Sequence, residues 1–261
     1  MSAQLSSRVQ TSVEEVKNRV SATEWTTRVD LAAMYRVIHH FRLTDTIYTH
    51  ISMRIPGAEE AFLINPFGLM YDEITASTLV KVTVRGDILD DPLGMGINRA
   101  GFVIHGAIHE ARHDVNSVLH THTRAGMAVS AQKGGLRPIS QHAAFLMGRI
   151  GYHDFEGIAV NLEEQRRLVA DLGSNYAMVL NNHGLLTAGR TPGETMQLML
   201  LLERACDAQI AAFSGGAEVR EISRTAQEST TKIVDEFDGN YARDWAAMLR
   251  LAHRMAPGFD R

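Results

Sequence analysis

One cysteine in 261 residues, Cys206, excludes an internal disulfide framework and fits a reducing compartment. No stretch approaches the roughly 18 consecutive apolar residues of a membrane span. Residues 1–20 are polar and charged and hold no apolar core of a secretion signal, so a cytoplasmic protein without a membrane partner is expected. An excess of positive charge is missing too. The 26 Lys and Arg are interspersed with 30 Asp and Glu, a net charge of −4, which argues against a nucleic-acid partner. Internal repeats and low-complexity linkers are also absent. What is present is a 45% share of hydrophobic residues, enough for a substantial core, and 12 histidines, a high count for this length.

The histidines concentrate attention on Ser117–Val118–Leu119–His120–Thr121–His122–Thr123, an apolar run ending in two histidines spaced i, i+2. In a strand that spacing points both imidazoles to one face, where they can grip a divalent metal. Ala177–Met178–Val179–Leu180–Asn181–Asn182–His183–Gly184 is a second apolar run ending in a histidine, with a glycine that allows a sharp turn. His120, His122 and His183 are therefore the candidate metal ligands, from two strand ends. Spacing alone leaves the alternative that they are hydrogen-bonded strand residues.

Elsewhere the pattern alternates helix and strand. Residues 1–22 read as an arm or short helix. Ser21-x-x-Glu24 has capping-box spacing, and Val29, Ala32, Ala33, Val37 and Phe41 follow a helical period to about Arg42. Residues 47–55 and 61–64 read as a hairpin around Pro56–Gly57, and Leu79–Val84 as a strand before the turn Arg85–Gly86–Asp87. A helix is expected from about Ala100 to Arg112. Its His109–Glu110–Ala111–Arg112–His113 matches the zinc-protease pattern HExxH, with His105 one turn earlier, but Asp114–Val115–Asn116 already leads to the next strand and leaves His113 at a fraying end. Short elements are expected at Thr123–Gln132, Ala143–Phe145, Arg149–Tyr152 and Gly157–Val160. Then follow a helix at Glu163–Leu172, the strand into His183 paired with Leu185–Ala188, and a long helix opened by Thr191–Pro192–Gly193–Glu194 and running through Phe213. Tyr241–Ala252 looks amphipathic. One α/β domain at 23–215 is the economical organisation, with an arm at 1–22 and a helical tail at 216–261 that packs on the domain or on a neighbouring subunit.

Together Thr49-His50-Ile51-Ser52-Met53-Arg54, Asn65-Pro66-x-Gly68, Ala100-Gly101-Phe102-Val103-Ile104-His105, His120-Thr121-His122-Thr123 and Asn182-His183-Gly184 resemble the class II aldolase/adducin family, from about Thr27 to Ser214. The resemblance implies a three-layer αβα sandwich with a mainly antiparallel central sheet. It also implies a metal at His120, His122 and His183, zinc with Mn2+ or Fe2+ as the other candidates, and a homotetramer with the site near a subunit interface. Two departures stand out. The phosphosugar aldolases use a Gly-Asn pair to help bind substrate phosphate where this chain has Thr49–His50. Gly101 lies where the aldolase acid/base Glu is expected, and a glycine cannot shuttle a proton. The segment leading to His105, and Gly151–Tyr152–His153–Asp154–Phe155–Glu156–Gly157, are similar to the adducin head and its bacterial relatives.

The expected activity is that of a metal-dependent lyase that cleaves or decarboxylates a small oxygenated substrate through a metal-stabilised enolate. Decarboxylation suits the missing Glu, because loss of carbon dioxide creates the carbanion without a base. His50, Asn98, Arg99 and His105 are the candidates for substrate contact or proton transfer. Their plainer roles are turn formation for Asn98, a surface ion pair for Arg99, and packing hydrogen bonds for the two histidines. The alternatives are a non-catalytic adducin-like interaction module and a non-haem iron oxygenase on the same three histidines. Adducins carry a long tail with a basic terminus, whereas this sequence ends at Arg261, which favours the enzyme. The leucine-rich run Leu198–Leu202, His39–His40 and Cys206 read as core, helix edge and buried residue respectively.

Overall fold

The computed structural model describes residues 13–157, 162–237 and 241–261. Residues 1–12 of the expected arm and 158–160 of the expected element at Gly157–Val160 lie outside the described residues. Residues 13–19 are helical, with Val16 fully buried. Helix α1, Ala22–His40, starts where the capping spacing places it, with Ser21 Oγ accepting the Glu24 N–H at 3.1 Å. It ends at His40, two residues short of expectation. The Phe41 and Arg42 N–H groups close onto Val37 and His39, and Arg42 turns the chain with φ of 59°.

Strand β1, His50–Ile55, lies near the middle of an eight-stranded sheet of order β4-β3-β2-β1-β5-β8-β7-β6. The others are β2, Ala58–Ile64; β3, Val80–Thr83; β4, Ile88–Asp90; β5, Ser117–Thr121; β6, Ile150–His153; β7, Ala177–Leu180; and β8, Gly184–Gly189. Among these strands only the β6–β7 pair is parallel. Alternation along β1 sets the layers. Ile51, Met53 and Ile55 enter the larger core beneath α1, whereas Ser52 and Arg54 bond to helix α2, Arg99–Ala111, on the opposite face. The α1 layer also holds α6, Pro192–Ser214, and α8, Ala242–Met255. The α2 layer holds α5, Leu162–Leu172, over Val118, Met178, Leu180 and Leu186. The expected αβα sandwich with a mostly antiparallel sheet is what the chain forms.

Between these elements lie α3, Arg124–Ser130; α4, Gln141–Ala144; and α7, Arg224–Phe237. Helix α7 and strand β4 were not singled out by the sequence pattern. The helix buries none of its residues and is tied down by an Arg149–Asp235 ion pair, so it carries no core stripe to read. Helix α8 packs on α1 and α6 through Met248 and Ala252, and the carbonyls of Phe259 and Arg261 accept from Ala76 and Ser77 N–H. Among the described residues no helix is long and apolar enough to cross a membrane.

Candidate metal centre

The three histidines arrive from two strand ends. His120 lies in β5 opposite His50 of β1 and Leu186 of β8, and His122 follows two residues on, just past the strand. His183 lies in the turn from β7 to β8, where Asn182 takes φ of 56° and donates its N–H to Ser130 O at 3.0 Å. Gly184 makes the approach feasible. A Cβ there would sit 2.3 Å from Thr121 O, so any other residue would push β8 and His183 away from β5.

His120, His122 and His183 present nitrogens that all lie within 4.8 Å of one another. His120 Nδ1 donates to Leu185 O at 2.9 Å, and His122 Nδ1 donates to Asp45 Oδ2 at 3.0 Å. These contacts place the ring protons on Nδ1 and leave both Nε2 atoms as bare lone pairs. Yet His120 Nε2 and His122 Nε2 are 2.8 Å apart, and His122 Nε2 and His183 Nε2 2.9 Å apart. Two unprotonated nitrogens at that separation repel unless a cation lies beside them, so the donor set fits a metal ion. Burial, reinforced by the charge of His183, holds His120 well below the usual histidine range, and burial with His122 pushes His183 down to about 4. Neutral imidazoles are the ligand form. The Asp45 carboxylate on the far nitrogen of His122 orients that ring.

A cavity of about 310 Å3 opens beside the cluster, lined in part by His50, Asn98 and Gly101. His50 is buried, stacked on His120 with ring centroids 5.6 Å apart and edge-on to His105 at 5.3 Å. Its ring explains Gly101. A Cβ at 101 would lie 2.3 Å from His50 Nε2 and 2.4 Å from Cδ2, so the imidazole fills the space that a side chain at 101 would need. Asn98 borders the cavity while capping α2, its Oδ1 accepting the Ala100 N–H at 3.1 Å. The other two candidates lie elsewhere. Arg99 is exposed and away from the cavity lining. His105 is fully buried, with Nδ1 2.6 Å from Ser52 Oγ.

The HExxH pattern does not gather a metal site. Helix α2 ends at Ala111, His113 is exposed in the following turn, and His109 is fully buried with Nε2 2.8 Å from Ser52 Oγ. Among the described residues the metal-capable group is His120, His122 and His183. Sequence reasoning missed Asp45 and the rim residues Tyr48 and Phe155. Asp45 is 77 residues from His122 and carries no local pattern that would announce it.

With this geometry in view, comparison with known proteins gives a consistent set. A family model described as the class II aldolase and adducin N-terminal domain matches residues 29–210. A Pseudomonas aeruginosa protein named for the class 2 aldolases is 48% identical over 251 residues, covering 94% of this chain and 96% of its own. Alpha-adducin of Rattus norvegicus is 44% identical over 195 residues, which span 73% of this chain but only 26% of adducin. The crystal structure of an aldolase II superfamily protein from Pseudomonas syringae superposes with a TM-score of 0.89 at 53% identity, covering 94% of this chain and 99% of that one.

Proposed function

The chain belongs to the class II aldolase and adducin family, and from that membership we propose that it is a divalent-metal-dependent lyase that cleaves or decarboxylates a small oxygenated substrate. His120, His122 and His183 hold the metal, zinc in the first instance with Mn2+ or Fe2+ as alternatives, since three imidazoles leave positions open for water or substrate. A metal bound there supplies Lewis-acid stabilisation of negative charge developing on a substrate oxygen. His50 takes the proton-transfer role, because its imidazole occupies the space at Gly101 and borders the same cavity. Asn98 fixes the start of α2 at the cavity wall. Arg99 and His105 act, on this reading, through the surface and through packing of the ring beside His50.

The observation that carries the proposal is the approach of His120 Nε2 and His122 Nε2 to 2.8 Å while each Nδ1 faces an oxygen acceptor. Elemental analysis of protein purified without added metal, beside His122→Ala, tests it. Stoichiometric metal in the wild type and loss in the variant are expected, and equally little metal in both refutes the site. A second reading, a non-catalytic adducin-like module, is favoured by Gly101 and by the alpha-adducin match. Turnover on panels of hydroxy acids and phosphosugars that disappears in His183→Ala rules that reading out. The same proposal takes residues 23–215 as the metal-binding domain, with an arm at 1–22 and a tail at 216–261. It places the protein in the cytoplasm as a homotetramer without nucleic-acid or membrane partners, supported by the single buried Cys206, the balanced charge and the family resemblance.

A further inference from the structure

The three histidines are not held alike. His120 sits within β5 with β1 and β8 on its two sides, and its Nδ1 faces Leu185 O; the ring of His122 is turned by Asp45. His183 stands in the turn from β7 to β8, half-buried, and among the described residues no hydrogen-bond partner meets its Nδ1. Within that frame its place depends on the backbone of residues 181–183. Three backbone contacts fix the turn. The His183 N–H closes onto Leu180 O at 3.0 Å, the Asn182 N–H reaches Ser130 O at the end of α3 at 3.0 Å, and the Asn181 N–H reaches His153 O at the end of β6 at 2.8 Å. A fourth contact comes from side chains, Asn181 Nδ2 donating to Asp154 Oδ1 at 2.8 Å.

The end of β6 is a firm anchor for that bond. His153 is buried, and its Nδ1 donates to Asp171 Oδ2 of α5 at 2.7 Å. Gly151 lets α5 close on the strand, since a Cβ there would lie 2.6 Å from Asp171 O. Strand β6 pairs with β7 in parallel, His153 opposite Leu180, so Asp154 leaves the strand beside the first residue of the turn. Asn182, at φ of 56°, holds a backbone conformation that costs free energy in any residue but glycine, so the turn persists through the contacts around it. We propose that Asp154 is a positioning residue for the metal centre: through Asn181 it holds the 181–183 turn in the arrangement that brings His183 to His120 and His122. This inference rests on the metal reading above.

Co2+ affinity of the full-length protein, measured against a competing chelator under conditions where every variant is folded, gives a direct test. Asp154→Ala should weaken it about three- to tenfold, the worth of one hydrogen bond in an equilibrium constant, because cobalt then binds only the fraction of molecules whose turn is in place. Asp154→Asn keeps an oxygen acceptor for Asn181 without the charge, and should stay within about twofold of the wild type. That variant separates positioning from simple attraction between a carboxylate and a cation. Asn181→Ala should match Asp154→Ala, and the double variant should lose no more than about twofold beyond either. Hydrogen exchange on the metal-free proteins should be faster across residues 181–184 in Asp154→Ala and unchanged in Asp154→Asn. Wild-type affinity or wild-type exchange in Asp154→Ala, equal losses in Asp154→Ala and Asp154→Asn, or additive losses in the double variant overturns the proposal. A wild type that takes up no more cobalt than His122→Ala refutes the metal reading and this role with it, whereas an unaltered Asp154→Ala beside a cobalt-binding wild type removes the positioning role alone.

Discussion

Two histidine clusters lie on the same face of the sheet, and they have opposite characters. His105 and His109 stand one turn apart on α2 and share a single hydroxyl, Ser52 Oγ, at 2.6 and 2.8 Å. Both rings are fully buried, and His109 packs against the Phe62 ring with centroids 4.6 Å apart. One hydroxyl proton serves only one of the two rings, so the other ring must donate to Ser52, and the far nitrogens, His105 Nε2 and His109 Nδ1, are buried without a partner. His120 and His122 instead turn Nδ1 outward, to Leu185 O and Asp45, and with His183 turn Nε2 toward a cavity. A histidine cluster becomes a metal site when the protein takes up the ring protons on the far side and leaves lone pairs converging on open space. Proximity and spacing alone do not achieve this.

Removing one member of each cluster gives the largest expected contrast. His120→Ala should lower metal affinity by at least about a hundredfold, beyond the range usual for residues that only support a ligand. His109→Ala should leave metal content at the wild-type level and lower stability instead, by about 1–3 kcal/mol, because Ser52 loses a partner and a void opens beside Phe62. Chelator competition and urea unfolding on both variants measure the two effects. Metal loss in His109→Ala would merge the clusters and break the distinction. Asp45→Asn should fall between them, with metal affinity down roughly 10–100-fold and stability little changed, since the carboxylate acts on the metal through His122.

The two clusters were not equally legible in the sequence. His-Thr-His at a strand end and the apolar run into His183 are local patterns with a period of two, and the Ser21 cap and the Pro56–Gly57 hairpin are similarly local. HExxH is local as well, and the approach of the next strand discounted it; the helix stops at Ala111, two residues before the second histidine. The contacts that separate a metal site from a packed pair are long-range. Asp45 reaches His122 across 77 residues, and Ser52 reaches His105 and His109 across 53 and 57. Gly101 was legible only as a missing glutamate. That the glycine makes room for His50 depends on β1 lying beneath α2, and no residue pattern near position 101 encodes that.

Gly101 links the two regions, because His50 lies between His105 and His120. Gly101→Ala would bring a Cβ within 2.3 Å of His50 Nε2, whose ring is packed between His105 and His120, and should cost about 1–3 kcal/mol. The double variant His50→Ala with Gly101→Ala should recover most of that loss, giving a favourable coupling of 0.5–3 kcal/mol in a double-mutant cycle by urea denaturation, the usual range for residues in contact. Additive losses would show that the ring does not set the residue at 101. If instead Gly101→Ala is as stable as the wild type, the approach of the two elements is looser than the packing indicates.

The smallest effect concerns protons and sharpens the contrast from the side of the buried pair. Burial, and then the charge of Arg54, push His109 down to about 3, against about 6.5 in an unfolded chain. The folded protein therefore holds His109 neutral through the interval in which the unfolded chain takes up a proton. The stability this contributes is complete above about pH 6.5, falls as pH drops, and is exhausted near pH 3. Between pH 7 and pH 5 this one group should cost the metal-free protein about 2 kcal/mol. His109→Gln removes the titration and retains a polar group for Ser52, so its stability should fall less steeply over that interval, by about one proton in the slope. Urea midpoints of the metal-free proteins at pH 7, 6 and 5 decide it. Parallel curves for wild type and variant would mean that His109 takes up its proton in the folded state over the same interval as in the unfolded chain, against the burial that holds it neutral.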